Sequence, residues 1–566
     1  MARRHAERSD SSSSVPGFTR RAFLGASAAG GALLWSRGLD AFVPAGGNAL
    51  AGDAPFLEKT IPQLQAMMAS GALTSLELTR GYIDRIAALN PVLRAVVEIN
   101  PSAIAIATRL DAERRQGRGL RGPLHGIPIL VKDNIATDDQ MQTTAGSLAL
   151  VNSRVPGDAP IAERLRSAGA VILGKANLGE WANFRGFNPL GFYGWSARGG
   201  ATHNPYQLGY SAFGSSSGSG VAPAANLCAA AIGTETDGSI VGPSNVNLVV
   251  GLKPTLGLVS QAGIIPISHA QDTAGPIART VTDVATLLGV IQSPFGEVAG
   301  HQLPANYTQF LQRGALEGAR IGVDRRFFDD YAIFGFPGDE DALAFAEQAL
   351  VTMQSLGATL VDVDSGDIFG YFGDEFTALL FEFKADIAAY LATLGHTTMR
   401  TLADLIEFNL AHCPAELEFY GQELFELAES TTDLSDPVYL AARAAATTAA
   451  RTGIDAALAA GNVDVIVAPH LTNSTAPAVS GYPNLGLPLG LRSDGKPAGL
   501  MMYTGFLREP RLLALAYDLE QELQVRQQPE LLGAVEDPPD AGLCTAPRKP
   551  HVFTGKQHLP HGRFFW

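Results

Sequence analysis

The sequence predicts an α/β fold in which helices cover both faces of a central sheet. Three observations carry that expectation. Helical and strand patterns alternate after residue 60. The strand-like runs "GIPILVKD", "ARIGV", "ATLVDV" and "VDVIVAP" are short and rich in β-branched residues, and Ala- and Leu-rich helical stretches separate them. Composition agrees, because 46% hydrophobic and 17% charged residues over 566 positions suffice for a large core and lie far from the disordered class.

Along the chain, the N-terminus comes first. "FTRRAFLGASAAGGALLW" places Arg20 and Arg21 before a small-residue apolar run, a pattern similar to a bacterial twin-arginine signal peptide. The run from Ala22 to Trp35 is too short to span a bilayer comfortably, and Ala49-Leu50-Ala51 offers a small-x-small cut site. Residues 1–51 are therefore expected to direct export to the periplasm or beyond, the alternative being a basic N-terminal arm. No later segment is apolar over the length of a membrane span, so stable membrane insertion is not expected.

Residues 52–528 carry the predicted fold. Thr74 and Glu77 have capping-box spacing before a helix ending near Leu89. "APIAERLRSAGAVILGK" reads as helix, Gly turn and buried strand. From about Pro529 the chain turns rich in Pro, Gly and His, so residues 529–566 are expected to form a poorly ordered or surface-wrapping tail. Cys228, Cys413 and Cys544 are far apart and odd in number, which predicts neither a disulfide framework nor a zinc site; Cys228, in an Ala-rich stretch, is expected in the core. The formal charge of −15 opposes a nucleic-acid-binding role, which needs a positive face.

Residues 214–220 read "GSSSGSG", the composition of a flexible linker. Apolar segments continue on both sides of it, however, and a linker should separate patterns that could fold apart. The run also belongs with two other segments, "PLHGIPILVKDNI" around Lys132 and "IGTETDGSIVGPS" around Ser239. A serine nucleophile needs a neighbour to take its proton. None of the eleven His lies in a nucleophile motif, whereas a lysine made neutral by burial is a competent base. The turn through Thr236, Asp237, Gly238 and Ser239 can direct backbone N–H groups onto an oxyanion.

These blocks, with "GLKPTLGLVS", "DTAGPIARTVTD", "AERLRSAGAVILGKANLGEWANF" and "GYPNLGLPLG", occur in an order that resembles the amidase signature family over roughly residues 56–525. The resemblance implies a single large domain with a mixed sheet. It also implies hydrolysis of carboxamides by a Ser-cis-Ser-Lys triad, with no cofactor and no metal. Lys132 matches the base, Ser239 the nucleophile and Ser215 the bridging serine after a cis peptide; Ser216 matches a supporting serine, and a one-residue gap would exchange it with Ser215. His125 lies in a matching block but reads as structural. Trp181, Phe184 and Phe187 could line an apolar pocket or pack in the core.

Two departures stand in the nucleophile loop: Asp237 replaces a family glycine and Val241 a family arginine. With "FEFKADIAAYL" and "FYGQELFELA", they resemble the branch of bacterial peptide amidases more than the transfer-RNA amidotransferases. The expected substrate is a peptide amide or small carboxamide. The competing expectation is a non-catalytic or amidotransferase-type scaffold, which the acidic balance opposes.

Overall fold

The computed structural model describes residues 54–117, 119–187, 194–331, 339–535 and 542–544; the expectations for residues 1–51 fall outside them. The strands in chain order are β1 (Val96–Ile99), β2 (Pro128–Lys132), β3 (Val171–Ala176), β4 (Trp195–Ser196), β5 (Gly200–Ala201), β6 (Ala230–Glu235) and β7 (Val250–Lys253). They continue with β8 (Thr273–Ala278), β9 (Arg320–Val323), β10 (Thr359–Asp362), β11 (Val465–Pro469), β12 (Asn484–Leu491) and β13 (Pro497–Tyr503). All but the small β4–β5 pair join one 11-stranded sheet in the order β1-β3-β2-β6-β8-β7-β12-β13-β11-β9-β10.

The sheet is mixed. β3-β2-β6 and β10-β9-β11 run parallel, while β6-β8-β7-β12-β13-β11 is antiparallel at every step. β2, β3, β6, β7, β8, β11 and β13 are buried at every residue. Successive side chains point to opposite faces, so both faces are covered, as the unalternating apolar runs predict.

Local signals set the helix starts. Thr60 and Gln63, and Thr74 and Glu77, form reciprocal capping boxes at the helices Ile61–Ser70 and Ser75–Leu93. The second helix runs past Leu89 and accommodates Pro91 in its last turn before Arg94 closes it in a left-handed conformation. Pro160 opens the helix Pro160–Ser167, and Gly169 at φ 84° turns the chain into β3. A second apolar cluster, built on Phe376, Leu380 and Phe383 of the helix Ile368–Thr393, packs against Trp181, Phe184 and Phe425.

The cysteines overturn one expectation. Cys413 and Cys544 are disulfide-bonded, with Cα atoms 5.7 Å apart. Their separation of 131 residues hides a proximity that only the fold creates. Cys228 is the free, buried cysteine of the core. The described part of the tail wraps the surface: Leu531 N–H donates to Pro205 O (3.1 Å), and Leu208 N–H donates to Leu532 O (2.8 Å). Among the described residues no helix is long and apolar enough to cross a membrane.

Candidate active site

Lys132 is the last residue of β2, and Ser239 follows the end of β6 by four residues. These strands pair in parallel, so both residues leave the carboxyl edge of the sheet, where open α/β folds bind ligands. Lys132 is fully buried. Its Nζ lies 2.8 Å from Ser215 Oγ, 2.9 Å from Ser216 Oγ, 2.8 Å from Thr234 Oγ1 and 3.2 Å from Thr234 O. Burial pushes the Lys132 amine down to about 7, against the weaker opposing pull of Asp272 and Glu235. The amine is thus neutral in a large fraction of molecules at neutral pH.

A neutral amine carries two N–H bonds and one lone pair, so a hydroxyl must donate to it. Ser216 is committed elsewhere: its hydroxyl donates to Thr234 O (3.0 Å) and accepts the Thr234 N–H (3.1 Å). Among the described residues, Lys132 is the one hydrogen-bond partner of the Ser215 hydroxyl. That geometry favours Ser215 over Ser216 as the serine free to pass a proton. The Gly214–Ser215 peptide is cis, and Gly179 N–H donates to Ser215 O (3.0 Å).

The "GSSSGSG" run is a buried wall. All seven residues are buried, and Ser217 begins the helix Ser217–Ala224. A Cβ on Gly214 would stand 2.7 Å from Asn183 Nδ2, on Gly218 2.2 Å from Ala95 O, and on Gly220 2.9 Å from Pro243 O. None of the three has a positive φ. Close approach of neighbouring groups, not unusual torsion, accounts for these glycines.

Ser239 sits between β6 and the short helix Val241–Val246, and its carbonyl accepts the Ser216 N–H (3.3 Å). Glu235 braces this loop by accepting the N–H groups of Ile240 (2.7 Å) and Val241 (3.0 Å). The Gly238 N–H is drawn to the same Glu235 carboxyl. Gly238 turns the loop at φ 74°, a conformation that costs a Cβ-bearing residue about 1–2 kcal/mol. Burial pushes the Asp237 carboxyl up to about 7, while the Ser474 and Thr475 hydroxyls work in the other direction.

Two cavities meet at Ala182 and Thr236. One, of about 20 Å³, is apolar and is lined by Ser239, Phe184 and Phe376. The other, of about 300 Å³, is more open and polar and reaches Asn134, His269, Asp272 and Asp386. Ala182 belongs to a left-handed turn, with Trp181, Ala182 and Asn183 at φ 52°, 54° and 68°. Behind the turn, buried Arg185 pairs with Glu180, lies 3.9 Å from Glu416 and stacks on Tyr420.

The structure thus brings Lys132, Ser215 and Ser216 into contact and sets Ser239 against the same loop. Phe184 lines the apolar cavity, whereas Trp181 and Phe187 pack in the cluster behind it. His125 is buried away from the site, a ring nitrogen 3.0 Å from Leu110 O. Two further buried lysines serve backbone carbonyls instead: Lys175 donates to Ile135 O (2.5 Å) and Lys253 to Pro254 O (3.3 Å). Sequence reasoning missed Thr234, Glu235, Gln271 and Glu375. Thr234 and Glu235 stand in the same block as Ser239 and were within reach. Gln271 and Glu375 carry no motif, and only the fold delivers them.

Comparison with known proteins agrees with this geometry. The family model described as Amidase matches residues 77–479. A protein of Arabidopsis thaliana named "Probable amidase" is 38% identical over 84% of this chain and 92% of its own length. A glutamyl-tRNA(Gln) amidotransferase component of a Synechococcus strain is 32% identical over 82% of this chain and 97% of its own length. The solved structure of native peptide amidase from Stenotrophomonas maltophilia superposes with a TM-score of 0.78 at 47% identity, covering 84% of this chain and 99% of that one. The chain therefore belongs to the amidase signature family and is an amide-hydrolysing enzyme.

Proposed function

We propose that this enzyme is an exported serine amidase that releases ammonia from the terminal carboxamide of amidated peptides or from small carboxamides. The observation that carries the mechanism is the fully buried Lys132 amine within 2.8 Å of the Ser215 hydroxyl, on a loop bonded to the Ser239 backbone. Neutral Lys132 takes the Ser215 proton as Ser215 takes the Ser239 proton. Ser239 Oγ attacks the carboxamide carbon, and the loop from Thr236 to Ser239 stabilises the oxyanion. The relay then returns the proton to nitrogen, the C–N bond breaks, and ammonia leaves an acyl-Ser239 ester. Water, deprotonated by the same relay, attacks the ester, and the carboxylic acid departs.

The likeness to a peptide amidase at 47% identity supports the peptide-amide substrate. The disulfide supports export, since such bonds persist in oxidising compartments. The test is an ammonia-release screen over peptide amides, fatty amides and small carboxamides, paired with fluorophosphonate labelling. Ser239→Ala should lower ammonia release by at least about 10³-fold and abolish labelling while the fold is retained. Undiminished turnover in that variant would refute Ser239 as the nucleophile, and a preference for fatty amides would overturn the peptide-amide assignment.

A further inference from the structure

The small apolar cavity beside Ser239, about 20 Å³, has walls of Phe184, Ile267, Phe372, Phe376 and Leu379, and among the described residues its one acidic side chain is Glu375. Glu375 is 1% exposed, and the proton relay from Ser239 to Lys132 gives it no task. A buried carboxyl at an apolar wall is costly unless it is hydrogen-bonded or kept neutral.

Its orientation is fixed by a chain of polar contacts. Gln271 Nε2 donates both to Glu375 Oε1 (2.6 Å) and to the carbonyl of Thr236 (3.0 Å) in the nucleophile loop. Arg443 Nη1 donates to Gln271 Oε1 (2.9 Å), so the Gln271 amide cannot turn over without facing two N–H donors toward each other. Arg443 is held in turn by two bonds to Glu382, of 2.8 and 2.7 Å, and Tyr439 donates to the same carboxylate (3.0 Å). Glu375 Oε1 is thereby committed as an acceptor.

The charges around Glu375 oppose its ionisation. Burial first, and then the neighbouring Asp237 carboxyl, hold it well above the ordinary carboxylate range; Arg443 pulls the other way but is engaged with Glu382. In a neutral carboxyl the accepting oxygen is the carbonyl oxygen. The proton then sits on Oε2, which becomes a hydrogen-bond donor.

We propose that Glu375 is a specificity-determining residue that donates from Oε2 to an acceptor oxygen on the acyl part of the substrate. This selects amides in which a carbonyl lies beside an apolar side group, such as N-acylated amino-acid amides. It disfavours amides with a bare hydrocarbon acyl group or a free ammonium. The assignment rests on the amidase reading of Ser239.

The test follows ammonia release from N-acetyl-L-phenylalaninamide, 3-phenylpropanamide and L-phenylalaninamide by the wild type, Glu375→Gln and Glu375→Leu. The wild type should favour the acetylated amide over 3-phenylpropanamide by about tenfold in kcat/KM, the effect of one buried hydrogen bond. Glu375→Gln should keep that preference, because its Oε1 can accept from Gln271 while its Nε2 donates to the substrate. Glu375→Leu should bring the ratio near unity, chiefly by raising KM for the acetylated amide. Fluorophosphonate labelling of Ser239 in both variants reports that the site remains folded. An unchanged ratio in a labelled Glu375→Leu enzyme would overturn the proposal. So would a wild-type preference for L-phenylalaninamide that Glu375→Gln abolishes, since that pattern belongs to an ionised carboxylate. Absence of ammonia from all three substrates together with absence of labelling at Ser239 would instead overturn the amidase reading, and this assignment with it.

Discussion

In the proposed mechanism the chemistry at Lys132 depends on one proton. The amine must be neutral to act as a base, and burial brings it to about 7. Protonation therefore removes activity as pH falls, and kcat/KM should drop about tenfold per pH unit below about pH 7. The second-largest influence on Lys132 is the Asp272 carboxylate, which favours the charged amine. Burial puts Asp272 itself at about 6, so it is largely ionised where Lys132 titrates. Asp272→Asn preserves an acceptor for the N–H groups of Ile267 and Ser268 (2.7 and 2.9 Å) but removes the charge. The acid limb of the pH profile should then move to lower pH. A limb that stays in place, or moves to higher pH, would show that Lys132 is not the titrating base.

The element that sequence composition described least well is the helix Ser217–Ala224. Its glycines look like slack in the sequence and prove to be contact surfaces. At an ordinary helical position, Gly→Ala stabilises by up to about 1 kcal/mol. At Gly218 the sign should reverse, because the new Cβ would stand 2.2 Å from Ala95 O and 2.6 Å from Asn177 N, both backbone atoms that cannot swing aside. Gly218→Ala should cost about 3 kcal/mol or more, read from denaturant unfolding; a stabilised variant would return the run to the tether reading. The same contrast marks what the sequence could reveal. The capping box at Thr74 and Glu77 and the strand around Val131 rest on short-range patterns, and each is legible; that Lys132 belongs beside Ser215 comes from the family resemblance of their blocks, not from local pattern. Glu375 and Gln271 reach the site because the helix Ile368–Thr393 and the loop before β8 pack over the loop that carries Ser239. Nothing local records that docking.

On the scale of the whole molecule, one mixed sheet places the ends of β2 and β6 side by side, while the segments that shape the cavities arrive from distant parts of the chain. The disulfide acts at this scale. Cys413 opens a short helical turn, Cys413–Glu416. Glu416 in turn accepts the Leu148 N–H (2.8 Å) and lies 3.9 Å from Arg185, behind the left-handed turn at the cavities. The bond to Cys544 thus fixes the tail to a segment that supports the site. Closing so long a loop restricts the unfolded chain, and such a crosslink typically contributes about 2–4 kcal/mol. Reductant should lower the Tm of the wild type by a few degrees, while Cys544→Ser should start from the lower Tm and not respond further. Thiol titration of the unfolded, unreduced protein should find Cys228 alone, because Cys413 and Cys544 are paired. Three reactive thiols, or a wild-type Tm indifferent to reductant, would show that the bond does not stabilise the native fold.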